Sequence, residues 1–204
     1  MTRQATDQIL LQARLDEAAS ADLVSACNAA AVALAGATVR RVAWSAAEGD
    51  AYGYLALPRR QQLDERDLAP VLAAFAGALA RHADQAQPRV SRLEQAFERP
   101  GASHGAEPAF HYVVEMDPET GWRDELLNWY DTEHMPGLAS VPGTVHAARL
   151  LNHDHGPLSL ACYDLVSPTT LGSPPWLAVR GTEWSSRVRP HFMNTRRTMF
   201  KTLS

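Results

Sequence analysis

Apolar and polar positions along this chain switch repeatedly between a period near two residues and a period near 3.6. Residues 8–15 (QILLQARL) form a short apolar run and read as a strand. Residues 21–35 are rich in helix formers, and Gly36 stops them. Residues 38–44 carry β-branched side chains and read as a strand. Residues 51–57 follow across the turn residues Glu48-Gly49-Asp50, so the pair reads as a hairpin that Pro58 ends. Leu68, Val71, Leu72, Phe75 and Leu79 recur at helical spacing within residues 64–84. Residues 89–97 close the series as a strand, which makes the order β-α-β-β-α-β.

Residues 98–109 (ERPGASHGAEPA) are small, Gly- and Pro-rich, and read as a linker. The order then repeats. Strands are expected at 110–116, 144–151, 158–166 and 195–203, with the turn 152–156 joining the middle pair. One helix is expected from Trp122 to about Met135, stopped by Pro136-Gly137. A second, opened by Pro174-Pro175, carries Trp176, Val179, Trp184 and Val188. Gly-Ala-Thr-Val-Arg at Gly36 to Arg40 answers Gly-Thr-Val-His at Gly143 to His146. The expected fold is α+β: two tandem ferredoxin-like βαββαβ halves, 1–97 and 110–204, packing sheet to sheet as a pseudo-two-fold α+β barrel. The first half is expected to be scaffold and the second the active half.

Composition narrows the partners. The chain has 204 residues, is 46% hydrophobic and carries a formal charge of −4, with no basic concentration suited to a phosphate backbone. No nucleic-acid partner is expected. No apolar run reaches membrane-spanning length and the N-terminus lacks a leader's apolar region, so the expected location is cytoplasmic. Cys27 and Cys162 sit in apolar patterns and read as core residues.

The densest reactive cluster is Trp129-Tyr130-Asp131-Thr132-Glu133-His134. On a regular helix Tyr130 lies four residues and Asp131 three residues before His134, so both reach the imidazole. A helix C-terminus and a carboxylate partner each favour the imidazolium. That arrangement suits acid–base chemistry near neutral pH. The matching helix of the first half is built of alanine instead. The expected roles are His134 as acid or base, Asp131 or Glu133 orienting it, and Tyr130 donating a hydrogen bond to a substrate oxygen. Trp129, Trp176 and Trp184 are expected to wall an apolar pocket, with His111 and His146 lining it.

Two other signals carry less. Gly101-Ala102-Ser103-His104-Gly105 spells G-x-S-x-G, but a nucleophile elbow needs a helix after it, and here a strand follows. Seven of the eight histidines fall after residue 100, yet no metal-ligand spacing occurs within one element. No cofactor or metal is expected; a site built from His111, His134 and His146, or a haem on His191, stays open.

The run Trp129-Tyr130-Asp131-Thr132-Glu133-His134-Met135-Pro136, followed by Pro142-Gly143-Thr144-Val145-His146-Ala147-Ala148-Arg149, resembles the EthD-like proteins of the dimeric α+β-barrel superfamily. Tyr163-Asp164 and Trp184 fit the same pattern. The resemblance covers residues 110–203 and implies the barrel fold. The superfamily includes cofactor-free monooxygenases, polyketide cyclases, lactone isomerases and haem-dependent enzymes, and fold does not choose among them. The expectation is a small cofactor-independent enzyme acting by acid–base chemistry on a small hydrophobic, aromatic or polyketide-like molecule, as a cyclase, isomerase, lyase or monooxygenase. The alternative is a non-catalytic small-molecule binder or a structural barrel, so enzyme status is open, as is monomer against homodimer.

Overall fold

Residues 2–204 are described by the structure, a computed structural model. Met1, which opens both the stretch read for a leader and the half 1–97, lies outside the described residues. In the first unit, residues 2–95 with Asn152–Gly156 and Phe200–Ser204, alternation makes β1 (Gln4–Arg14) two-faced, with Ile9 and Leu11 in a helix-covered core. After it come α1 (Glu17–Ser20), α2 (Leu23–Val32), β2 (Thr38–Trp44), β3 (Asp50–Leu63), α3 (Glu65–Ala78), α4 (Ala83–Ala86) and β4 (Arg89–Pro100). The strands neighbour one another in the order β4-β1-β3-β2, antiparallel throughout. Ala26, Cys27 and Ala30 of α2 are wholly buried. A methyl group on Gly53 of β3 would collide with the Cys27 sulfur, so small residues on both elements let this helix lie close on the sheet. Burial pushes the Cys27 thiol up to about 12, as suits a packing residue rather than a nucleophile.

The expected strand end at Pro58 is corrected: β3 continues to Leu63. Thr6 pairs with Gln61 but Gln8 pairs with Ala56, so Pro58 falls in a bulge opposite Asp7. No ladder bond is needed from a proline there. Arg60 in the same bulge turns to Asp7 and closes a bidentate pair at 2.8–3.1 Å.

The second unit, Ala96–Leu151 with Pro157–Met199, holds the rest. Its elements are β5 (Phe110–Pro118), α5 (Arg123–Trp129), a π-helical turn (Tyr130–His134), α6 (Met135–Ala139), β6 (Thr144–Asn152, its last residue in the first unit), β7 (Ser159–Leu165), α7 (Pro174–Arg180), α8 (Glu183–Val188) and β8 (Phe192–Leu203, its residues from Phe200 on in the first unit). Their strand order is β8-β5-β7-β6. Over the whole chain the strand order β1-β3-β2-β8-β5-β7-β6-β4 closes on itself, an α+β fold with a closed eight-stranded antiparallel barrel. No helix among the described residues is long and apolar enough to cross a membrane.

Two helices differ from expectation. The helix read as ending at Pro136-Gly137 runs through both residues, because Pro136 sits in the first turn of α6, where no N–H is required. The change of step falls just before it: Met135 N–H reaches back five residues to the Tyr130 carbonyl. The helix expected after Pro174-Pro175 breaks into α7 and α8 at Gly181-Thr182, with Thr182 Oγ1 accepting from Ser185 N–H.

Gly143 shows how tightly the turn into β6 is built. Its φ is +96°, and an added methyl would strike Thr170 Oγ1. The Gly143 N–H donates to Ser103 Oγ at 2.9 Å, which gives the serine of the G-x-S-x-G stretch a structural task. Gly143→Ala is expected to cost about 2 kcal/mol or more, since it combines a positive φ with a steric clash. Urea denaturation of the variant measures it.

Candidate functional site

The register Tyr112↔Tyr163 and Val114↔Ala161 puts these side chains on one face of β5 and β7, beneath α5, α6 and α7. There Tyr112, Trp129, Tyr130, Tyr163, Trp176 and Phe192 wall a cleft of about 30 Å³. Tyr163 and Trp176 meet edge to face at 5.3 Å. The Tyr163 hydroxyl donates to Met135 Sδ at 2.9 Å.

The π-helical turn decides which side chains enter. Such turns insert one residue into the helical step and recur at functional sites. Tyr130 and His134 both face the cleft, with ring centroids 5.6 Å apart. His134 stacks on Trp129 at 4.2 Å, with 24° between the rings. It is 8% exposed, and its Nδ1 is buried without a hydrogen-bond partner among the described residues. Burial, followed by the charges of Arg189 and Arg180, pushes the imidazole down to about 3. The expected imidazolium is therefore corrected to a neutral ring. Burial also pushes the Tyr130 phenol well above its ordinary value, so this hydroxyl stays protonated.

The carboxylates expected to orient His134 are engaged elsewhere. Asp131 accepts from Arg149 Nε at 2.9 Å and Nη2 at 2.7 Å. Arg149 is 2% exposed, and its guanidinium lies 6.0 Å from the Tyr130 ring centre. Glu133 accepts from Trp129 Nε1 at 3.2 Å and from Thr182 Oγ1 at 2.7 Å. Both carboxylates thus hold the frame around the cleft, and neither touches the imidazole.

Of the expected lining, Trp129 and Trp176 wall the cleft, whereas Trp184 donates to Glu125 at 2.8 Å away from it. His111 and His146 alternate onto the other face of the sheet. His111 Nδ1 lies 2.7 Å from Asp164 Oδ1, His146 Nδ1 lies 3.6 Å from Asp164 Oδ2, and His146 Nε2 lies 2.9 Å from Glu98. These two histidines and His134 therefore do not meet, and no group of three metal-ligating side chains forms among the described residues. His191 stacks on Trp122 at 3.4 Å and bonds Glu119 at 2.6 Å. His191 is thus engaged by its neighbours rather than open as a haem ligand.

Sequence reasoning missed Tyr112 and Phe192 among the walls and the charged Arg180, Arg189 and Arg197, all lining the cleft. Arg180 stands four residues after Trp176, a spacing that places both on one helix face. Arg189 and Arg197 carry no local signal, because they come from the turn after α8 and from β8.

No protein-family model matches the sequence, and no curated protein sequence matches it. Solved structures do match in shape. An anthrone oxidase-like protein is 14% identical, covering 100% of this chain and 94% of its own, with a TM-score of 0.65. A chlorite dismutase mutant from Candidatus Nitrospira defluvii, in complex with cyanide, is 9% identical over 98% and 92% of the two chains, at 0.60. An uncharacterized ferredoxin fold protein related to antibiotic biosynthesis monooxygenases, from Listeria monocytogenes 4b F2365, is 8% identical over 98% and 96%, at 0.54. The shared property is the fold, that of ferredoxin-like α+β-barrel proteins; identities this low speak to fold alone.

Proposed function

We propose that this chain is a cofactor-independent enzyme that moves protons on a small aromatic or polyketide-like molecule bound in the second unit's cleft. The observation that carries this reading is His134: a neutral, buried imidazole with an unpartnered Nδ1, held flat by Trp129 in an aromatic cleft. A neutral imidazole takes a proton from a phenol or from a carbon next to a carbonyl. Tyr130, held protonated, donates a hydrogen bond to the oxygen where charge develops. Ring closure, a double-bond shift, elimination or addition of dioxygen then follows according to the substrate. The names of the fold neighbours, anthrone oxidase-like and related to antibiotic biosynthesis monooxygenases, agree with chemistry on such molecules.

In this reading the chain is a tandem fusion of two ferredoxin-like halves with EthD-like character in the second, joined near residues 98–109. The repeated strand orders β4-β1-β3-β2 and β8-β5-β7-β6 support it. The first half serves as scaffold, a reading that the close packing of α2 on Gly53 supports. The protein works in the cytoplasm, as a monomer or a homodimer. One observation favours a second reading, a non-catalytic binder: an imidazole at about 3 is a weak base while the cleft is empty. Assaying an anthrone and related hydroxylated polycyclic ketones with wild type and His134→Gln separates the two. Lost turnover with retained binding supports catalysis; no turnover by the wild type on any of them leaves the binder.

A further inference from the structure

The cleft carries more positive charge than an acid–base residue requires. Arg180, Arg189 and Arg197 all line it, in a chain whose formal charge is −4. None of the three makes an ion pair or a side-chain hydrogen bond among the described residues. Burial, then repulsion from Arg180 and Arg197, lowers the Arg189 pKa. Like charges gathered in a partly desolvated cleft without a counterion are costly unless something else is gained.

From this juxtaposition we propose that the cleft takes a small aromatic carboxylate, with its anionic head among the three guanidinium groups and its ring against the aromatic walls. The proposal deepens, and rests on, the reading that a small aromatic molecule binds here. Guanidinium groups pair with carboxylates through two parallel hydrogen bonds, and their planes also stack on rings. A second observation points the same way: His134, more than nine-tenths buried, lines the same cleft and keeps an unpartnered Nδ1. Burial weakens this base most and the charges of Arg189 and Arg180 weaken it further; a bound anion offsets the second of these. The ligand that fits the arginines therefore also relieves part of what weakens the base that would act on it.

The cleft's 30 Å³ holds a water or two. The ligand is admitted only as the arginine side chains swing outward, and Arg197 is exposed while Arg180 and Arg189 are half-buried. A larger groove of about 440 Å³ in the first unit has apolar walls at Leu68, Leu72 and Val90. Its arginine, Arg92, is already satisfied by Asp154, so it offers an anion no open partner.

Calorimetric titration of the full chain with benzoate, benzamide and inorganic phosphate tests the proposal. Benzoate is expected to bind at least about ten-fold more tightly than benzamide, a difference of roughly 1.4 kcal/mol. Arg189→Gln and the exposed Arg197→Gln are each expected to lose that preference, while His134→Gln keeps it. Equal binding of benzoate and benzamide, or a preference unchanged in both arginine variants, overturns the proposal. Phosphate binding as tightly as benzoate overturns the aromatic part. Benzoate preference in a protein whose turnover survives His134→Gln sinks the catalytic reading and leaves the anion site standing.

Discussion

Replacing His134 by glutamine is expected to lower turnover by about 10²- to 10⁴-fold, the usual reach of a positioned acid–base group. Glutamine keeps a polar side chain of similar reach against Trp129 but cannot carry the proton. The loss should fall on kcat, because the aromatic walls and arginines that hold the ligand are untouched. In the wild type, kcat should rise with pH through the His134 pKa of the complex. Burial holds that value down most, and it is expected to rise above the one in the empty cleft only by what an anionic ligand offsets of Arg189 and Arg180. Parallel kcat and KM measurements on the two proteins check this. A kcat unchanged by the substitution would remove His134 from the chemistry.

The largest expected effect on stability lies in the first unit. Asp154→Ala is expected to destabilise the protein by about 3–5 kcal/mol, the range for stranding a buried charge. Asp154 accepts from the Arg92 backbone N–H at 2.6 Å, from Nε at 3.0 Å and from Nη2 at 2.5 Å. Arg92 is 4% exposed, and its remaining Nη1 donates to the Thr2 and Leu63 carbonyls. Without Asp154 the guanidinium stays buried with no ion pair, only the weaker attraction of Glu65 and Asp64. Burial works to raise the Asp154 pKa, but the Arg92 hydrogen bonds outweigh it and the net shift is downward. The pair's contribution is therefore present above the ordinary carboxylate range and lost as pH falls below it. Denaturant midpoints of wild type, Asp154→Ala and Asp154→Asn at pH 7 measure the effect. A midpoint unmoved in the alanine variant would show that Arg92 finds water instead.

Element order was legible because period two and period 3.6 alternate along the chain, and side-chain burial follows from them. Boundaries were not, where a bulge or proline tolerance intervened, as at Pro58 and Pro136. The cleft was located by the Trp129-to-His134 run, but its geometry was hidden by one turn. A 3.6-residue pattern does not register a π-helical insertion, so Asp131 was aimed at His134 rather than at Arg149, 18 residues on. The turn 152–156 gave no hint of the ion pair that Asp154 makes, because Arg92 is 62 residues away. Arg189 and Arg197 were illegible for the same reason, since they reach the cleft only through tertiary packing, whereas the spacing of Arg180 to Trp176 was there to be read.

The central claim is that His134 is a neutral imidazole, held down first by burial and then by the charges of Arg189 and Arg180. Histidine-selective ¹⁵N labelling, with His134→Gln to assign the signal, follows its titration by NMR with and without benzoate. The account predicts a neutral ring throughout the range from pH 7 to pH 5 in the empty cleft, consistent with a pKa of about 3, and a raised pKa with benzoate bound. A His134 signal that titrates near its ordinary value, unmoved by benzoate, would contradict it.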